Sequence, residues 1–300
     1  MEASSSLDIA VLLTCHNRRE KTVACLKAVR RALDYAQPGV RLRCFLTDDG
    51  STDGTSAAVK ELGLDIEVIR GDGSLYWNRG MVRAWEAATR WGSGFDAYLL
   101  LNDDTLLDSD ALTRIVNVST GCGHQAIVVG ATREPTTGEL TYGGAIVVSN
   151  WHPGRTQLAP ISEREQEVDT FNANCVLVPR YVYERLGTLD PTFHHSIGDF
   201  DYGLRARKAG IRIIVVPRTI GTCARNDSRG TWRDRSLPLR RRLALLNSPK
   251  GLPRREWTEY LRRHGARLAW VMGWAPAARV VVESVARRWR LVVRRDSRRD

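Results

Sequence analysis

The 300-residue chain has no apolar run near the roughly 18 residues that a helix needs to cross a bilayer. Cysteine is sparse and scattered: Cys15, Cys25, Cys44, Cys122, Cys175 and Cys223 form no C-x-x-C and no paired spacing. That pattern argues against a zinc site or a disulfide framework and leaves small buried hydrophobes in a reducing cytoplasm as the expectation. Residues 1–6 have neither a basic nor an apolar region, so no secretory signal is expected there. Repeats and low-complexity tracts are missing too. A 43% hydrophobic composition belongs to a chain that buries a core.

What is present is unevenly charged. The net charge is +11, yet residues 225–300 carry 21 Arg and Lys against 7 Asp and Glu, which leaves residues 1–224 mildly acidic. Along that acidic body, apolar runs alternate with helical periodicity. Strands are expected at 9–13, 42–46 and 66–69 and in a run ending at Asn102, with helices at 18–35, 54–62 and 79–91 between them. A helix near 109–118, strands at 126–130, 175–178 and 211–216, and a hairpin around 136–139 follow, with 150–167 read as a mobile loop. This alternation predicts an α/β fold with a mostly parallel sheet flanked by helices.

The chemistry sits where the expected strands stop. Leu99-Leu100-Leu101 ends in Asn102-Asp103-Asp104, which puts an amide and two carboxylates at the carboxyl edge of a sheet, where α/β folds bind ligands. Adjacent acids repel, so a positive charge is expected among them; Mg²⁺ or Mn²⁺ carrying a diphosphate takes such oxygen ligands. The bland alternative is a solvated turn. Two other strand ends repeat the pattern. Thr14-Cys15-His16-Asn17-Arg18 offers groups for a nucleobase, ribose or phosphate, or simply a helix cap, and Asp48-Asp49-Gly50-Ser51 places two acids beside a sharp turn.

These blocks, in order with Trp77-Asn78-Arg79-Gly80 and with Gly198-Asp199-Phe200-Asp201 through Arg205, resemble family 2 glycosyltransferases over about residues 8–225. The resemblance implies a GT-A fold, a nucleoside-diphosphate sugar donor, inversion at the transferred sugar and a divalent cation. Carried over residue by residue, it implies donor contacts from Thr14, Asn17, Arg18, Asp48, Asp49, Asn78, Arg79, Asn102 and Asp103. Asp104 would be the metal ligand and Asp199 the base that takes the acceptor proton. Arg225 and Arg233 would grip the diphosphate from a loop that closes over it. Trp77 stands where relatives often carry arginine, and Gly198 stands where they carry glutamate. Cys223 falls where many relatives have a metal-binding histidine, and a thiolate suits Mg²⁺ poorly. The Trp77 variant and the Asn-x-Asp form lean toward a rhamnosyltransferase-like member in surface-polysaccharide or O-antigen assembly. A nucleotidyltransferase and a noncatalytic nucleotide-sugar or polysaccharide binder are the alternatives.

The implied organisation is a catalytic domain over 1–225, with a nucleotide half to about 105 and an acceptor half after it, then a basic helical extension over 226–300. Helices are expected over 253–274 and 276–295, with apolar residues at spacings of three and four and arginines between. Three uses fit that face: peripheral contact with the inner surface of the cytoplasmic membrane, packing on the catalytic domain, or a homodimer. No nucleic-acid-binding module is recognisable, so the charge does not point to nucleic acid. The expected partners are a nucleotide sugar and a saccharide or lipid-linked acceptor.

Overall fold

Runs rich in Val, Ile and Leu form strands, and segments with apolar residues every three or four positions form the helices between them. In the computed structural model, which describes residues 6–36, 39–92, 94–149 and 151–296, and only the backbone of 288–296, the order begins β1 (Leu7–Cys15), α1 (Arg19–Tyr35), β2 (Val40–Asp48), α2 (Thr55–Lys60), β3 (Ile66–Arg70) and α3 (Tyr76–Thr89). Next come β4 (Ala97–Leu101), β5 (Leu106–Leu107), α4 (Ala111–Gly121), β6 (Ile127–Arg133), β7 (Leu140–Tyr142), β8 (Gly144–Val147) and β9 (Thr156–Leu158). Then follow β10 (Gln166–Glu167), β11 (Thr170–Phe171), β12 (Cys175–Pro179), α5 (Arg180–Leu186), α6 (Gly198–Lys208) and β13 (Ile213–Thr222). The chain ends in α7 (Leu239–Leu246), α8 (Arg254–Arg263), α9 (Ala269–Met272) and α10 (Ala275–Asp296).

The main sheet runs β10-β13-β6-β12-β4-β1-β2-β3, and a small second sheet runs β11-β8-β9. β4, β1, β2 and β3 are parallel, as expected, while β12 enters antiparallel between β4 and β6. The result is the mixed, mostly parallel α/β sheet of a GT-A-like fold. α1 and α4 cover one face through Leu26, Val29, Leu112 and Ile115, and α3 and α6 cover the other through Met81, Trp85 and Tyr202. Register decides function here. Leu12 pairs with Leu100 and Thr14 with Thr47, so the carboxyl ends of β4, β1 and β2 finish side by side.

Two expectations change. Residues 151–167 carry β9, paired with β8, and β10, paired with β13, because edge strands are available to satisfy their backbone groups; Asn150 lies outside the described residues. The helix expected over 253–274 breaks into α8 and α9 at Gly265, whose φ of 96° and the Ala266 N–H to Leu261 carbonyl bond of 2.9 Å close α8 in a Schellman cap. The C-terminal helices pack on the body before residue 225. Trp257, Tyr260 and Leu261 of α8 pack with Phe193 and Leu204, and Arg263 bonds Asp190 at 2.8 Å and Asp201 at 3.0 Å. Buried Arg242 of α7 bonds Glu283 of α10 at 2.8 Å.

Trp85 is the largest fully buried side chain, with the rings of Tyr98, Tyr202 and Tyr183 at 5.3, 5.7 and 6.0 Å. Trp85→Ala should cost about 3–5 kcal/mol, read as a lowered denaturant midpoint with an unchanged slope.

Candidate active site

The aligned strand ends and the first turns of α3 and α6 open onto one cleft of about 1210 Å³. Thr14, His16 and Arg18 line it after β1, Asp49 after β2, and Asn102, Asp103 and Asp104 after β4. Backbone strain marks the same rim. Asn17, Tyr76 and Ile197 have φ of 51°, 58° and 65°, a left-handed conformation that costs most for β-branched Ile197.

The two acids after β4 are not bare. Arg18 bonds Asp103 Oδ1 at 2.8 Å and also holds Asp104, while Thr22 Oγ1 donates to Asp103 Oδ2 at 3.3 Å. The positive charge expected among the acids is therefore supplied by the chain itself. Asp103 is only 3% exposed; burial pushes it up to about 6, with Arg18 opposing and Asp104 adding to the rise. On the far side of Asp104, the Cys223 thiol donates to Oδ1 at 3.5 Å and accepts from Asn174 Nδ2 at 3.4 Å. Burial and the Asp104 charge push that thiol up to about 12, so it stays neutral. Asn102 Oδ1 accepts from the Trp77 indole at 2.7 Å, which joins the end of β4 to α3.

Whether these residues fit a divalent cation turns on the donor set. Among the described residues no group of three or more His, Cys, Asp or Glu gathers as a metal cage. Asp104 and Asp103 offer hard oxygen ligands on the cleft wall, which is the partial set of a Mg²⁺ or Mn²⁺ that keeps waters and arrives with a diphosphate. The residues fit that ion, with Asp104 and Asp103 to hold it.

The Asp48 and Asp49 carboxylates are already taken up by their own chain. Asp48 accepts from Ser51 N at 2.9 Å and from the Ser56 hydroxyl, behind the cleft wall. Asp49 lies on the cleft but accepts from the backbone amides of Gly73 at 2.8 Å and of Leu75 and Tyr76 at 3.0 Å, fixing the loop into α3. Gly50, at φ 73°, lets the turn pass so close to Gly73 that a Cβ would meet its nitrogen at 3.0 Å.

Asn78 and Arg79, expected at the donor, instead hold the loop before α6. Asn78 Nδ2 donates to the carbonyls of Asp190 and Phe193, both at 2.8 Å, and Arg79 Nε to that of Pro191 at 2.9 Å. Asn17 likewise braces the neighbouring turn, accepting from Thr52 N at 2.8 Å. None of the three lines the cleft. Asn78 also explains Gly198: a Cβ there would overlap the buried Asn78 Oδ1, so glutamate cannot occupy that position in this packing.

On α6 two carboxylates have opposite surroundings. Asp201 is fully buried, yet bonds to His264, Arg205 and Arg263 at 2.9, 2.9 and 3.0 Å outweigh burial and hold it below the usual carboxylate range. The expected Asp201–Arg205 pair is thus present. Asp199 has no cationic partner among the described residues; half-buried on the cleft wall, it accepts from Phe200 N at 2.9 Å and Ala173 N at 3.2 Å, and burial pushes it up to about 6. His195, also on the cleft, is pushed down to about 4 by burial and by Lys250, and is neutral near pH 7.

Arg225 does not reach the cleft; its guanidinium donates to the Leu140 carbonyl at 2.9 Å. Arg233 does, with its guanidinium 4.3 Å from the Trp232 ring centroid. Further wall comes from Tyr142, Asn172 and Asn174 and from Lys250, Trp257, Tyr260 and Arg279 of the C-terminal quarter, which sequence reasoning did not assign to the site. The one available signal was the Trp257/Tyr260 spacing within a basic helix. It reads equally well as a core face, and the two rings are indeed stacked at 5.3 Å.

A family profile described as "Glycosyltransferase like family 2" matches residues 7–273, which carries the family match well past residue 225. No curated protein matches the chain in sequence. Among solved structures, the fold is similar to that of mannosyltransferase PcManGT from Pyrobaculum calidifontis in complex with GDP-Man and Mn²⁺: TM-score 0.54, 18% identity, covering 94% of this chain and 76% of that one. S. aureus TarS 1-349 in complex with UDP aligns with TM-score 0.54 and 13% identity over 86% of this chain and 72% of that one. GalNAc-T7 with UDP, GalNAc and Mn²⁺ aligns at 0.58 and 15% identity, over 86% of this chain but 48% of that one. At these identities the structures speak for the fold.

If Arg18 neutralises the acids before any ligand arrives, Arg18→Ala should bind Mn²⁺ on the order of tenfold more tightly than wild type without nucleotide, since charge-assisted bonds contribute about 1.5–3 kcal/mol each. Titration of free Mn²⁺ by electron paramagnetic resonance measures this, and an unchanged affinity would refute the competition.

Proposed function

The chain belongs to glycosyltransferase family 2, and on that premise we propose that it is an inverting enzyme dependent on Mg²⁺ or Mn²⁺. It moves a sugar from a nucleoside-diphosphate sugar to a hydroxyl of a saccharide or lipid-linked saccharide in surface-polysaccharide assembly. The observation that carries this reading is Asp199, a carboxylate without a cation partner among the described residues, on the same cleft as the Arg18, Asp103 and Asp104 cluster.

The nucleoside end of the donor lies against Thr14, His16 and the loop pinned by Asp49, and the diphosphate faces Arg18 and Arg233. A bound Mg²⁺ or Mn²⁺, held by Asp104 and Asp103, would neutralise charge on the leaving diphosphate. Arg18 then has a second anion to bind in place of the carboxylates it gives up. Asp199 accepts the proton of the acceptor hydroxyl, whose oxygen bonds to the anomeric carbon as that carbon's bond to the diphosphate breaks on the opposite face. A base raised to about 6 is mostly ionised at pH 7 and more basic than an ordinary aspartate, which suits the step. The finer reading is rhamnosyl transfer, supported by Trp77, whose indole bonds Asn102 at the cleft where relatives often have arginine.

Asp199→Asn should lower transfer by about 10²–10⁴-fold with donor affinity unchanged. Full activity in this variant would favour a noncatalytic binder, and pyrophosphate release from a nucleoside triphosphate would favour a nucleotidyltransferase. Asp199 works only when deprotonated, so kcat should rise with pH through about 6 and then level off, and an acid limb far from 6 would remove it as the base. A thermal-shift panel of UDP-, dTDP-, GDP- and CMP-sugars with Mn²⁺ or EDTA assigns the donor; saturation at 100 times Kd adds about 2.7 kcal/mol of stability. A response confined to donors of a sugar other than rhamnose ends the rhamnosyl reading.

A further inference from the structure

The C-terminal helices are not wholly used up in packing. α9 and α10 are nearly continuous, since Trp274 N–H bonds the Val271 carbonyl at 3.0 Å and Ala278 N–H bonds that of Trp274 at 2.9 Å. Val280 and Ala277 turn into the core. The opposite side leaves Val271, Trp274, Val282 and Val285 in one stripe at helical spacing, with Trp274 52% and Val282 66% exposed. Trp270 at 67% and Trp151 at 74% exposure add to the apolar surface of this part of the molecule. Isolated exposed apolar residues are ordinary, but an exposed stripe carrying tryptophans is not.

The arginines beside this surface choose its partner. Arg254 lies 3.8 Å from the Trp274 ring and Arg267 lies 5.9 Å from the Trp151 ring, within the segment where basic residues outnumber acidic ones threefold. A two-fold dimer would set such a face against itself, cation on cation. An anionic lipid surface matches both properties, with tryptophan at the headgroup level and arginine on phosphate. No described helix is long and apolar enough to cross a membrane, so the helix would lie in the plane of the interface.

We propose that the exposed α9–α10 face, with the Trp151 loop, is a peripheral docking surface for an anionic bilayer. Its position ties it to the chemistry. Ala275, Pro276 and Arg279, on the adjoining side of α10, line the cleft that holds Asp199, so docking brings the cleft mouth to the lipid surface. Resting on the transferase reading above, the acceptor is then one anchored in lipid rather than a free saccharide.

The test is flotation of the full chain with vesicles of phosphatidylcholine alone or with about a third phosphatidylglycerol. Wild type should float with the anionic vesicles and be released by salt. The exposed triple variant Trp270→Ser/Trp274→Ser/Val282→Ser should lose at least tenfold in vesicle affinity while keeping its melting temperature and its donor-induced thermal shift. Brominated lipid should quench tryptophan fluorescence in wild type more than in the variant, which reads insertion of the stripe independently of affinity. Equal flotation of both proteins, or no flotation of wild type, overturns the proposal. So does light scattering that shows a wild-type dimer broken by the variant without vesicle binding. Transfer to a soluble acceptor without vesicles separates the two readings, because it survives if only the docking surface is wrong.

Discussion

Arg18 spans two carboxylates that would otherwise repel each other at the end of a buried strand, and the organisation of the cleft follows from that contact. The guanidinium begins α1, the acids end β4, and the pairing of β1 with β4 brings them together. Asp103 is buried against Thr22, so its partner must come from the chain or from a ligand, and the chain provides one. The chain itself therefore supplies one positive charge against the two carboxylates. In the proposed reaction, binding is an exchange of partners, in which the diphosphate takes over the arginine and the cation takes over the acids.

A second constraint runs from α3 to α6. Asn78 ties the loop of residues 190–193 to the first turn of α3, and its carbonyl oxygen fills the place of a side chain at residue 198. The strained Ile197 then aims Asp199 into the cleft, with the backbone of Ala173 and Phe200 holding the carboxylate. Asp199 and Asp201 are two residues apart on one helix, yet among the described residues Asp201 bonds two arginines and a histidine while Asp199 bonds backbone amides. That difference in environment, not in sequence, is what supports the proposed division into a structural acid and a base.

The basic C-terminal quarter closes the cleft through Lys250, Trp257, Tyr260 and Arg279, and it braces α6 through Arg263 and His264. One side of α10 thus faces chemistry while the adjoining side faces outward with tryptophan, valine and arginine. Under the docking proposal, one helix serves both purposes, and the surplus of cations divides between bracing the catalytic body and facing lipid.

The sequence by itself determined the alternating α/β architecture, the strand ends that carry polar groups, and the family, because buried strands and motif spacings are local properties written in consecutive residues. It also placed Arg18, Asp49, Asn102, Asp103, Asp104, Asp199 and Arg233 among the candidates that do line the cleft. Only the tertiary structure decided that Asp48, Asn78, Arg79 and Asn17 brace loops and that Arg225 bonds a strand carbonyl. A polar side chain in a motif can face a ligand or satisfy a backbone group, and the choice depends on which backbone groups the fold leaves nearby. The same holds for Lys250 and Tyr260, which reach the cleft across more than 50 residues of chain from Asp199. Their contribution is set by how helices pack, and helical periodicity records that a face is buried without recording what it is buried against.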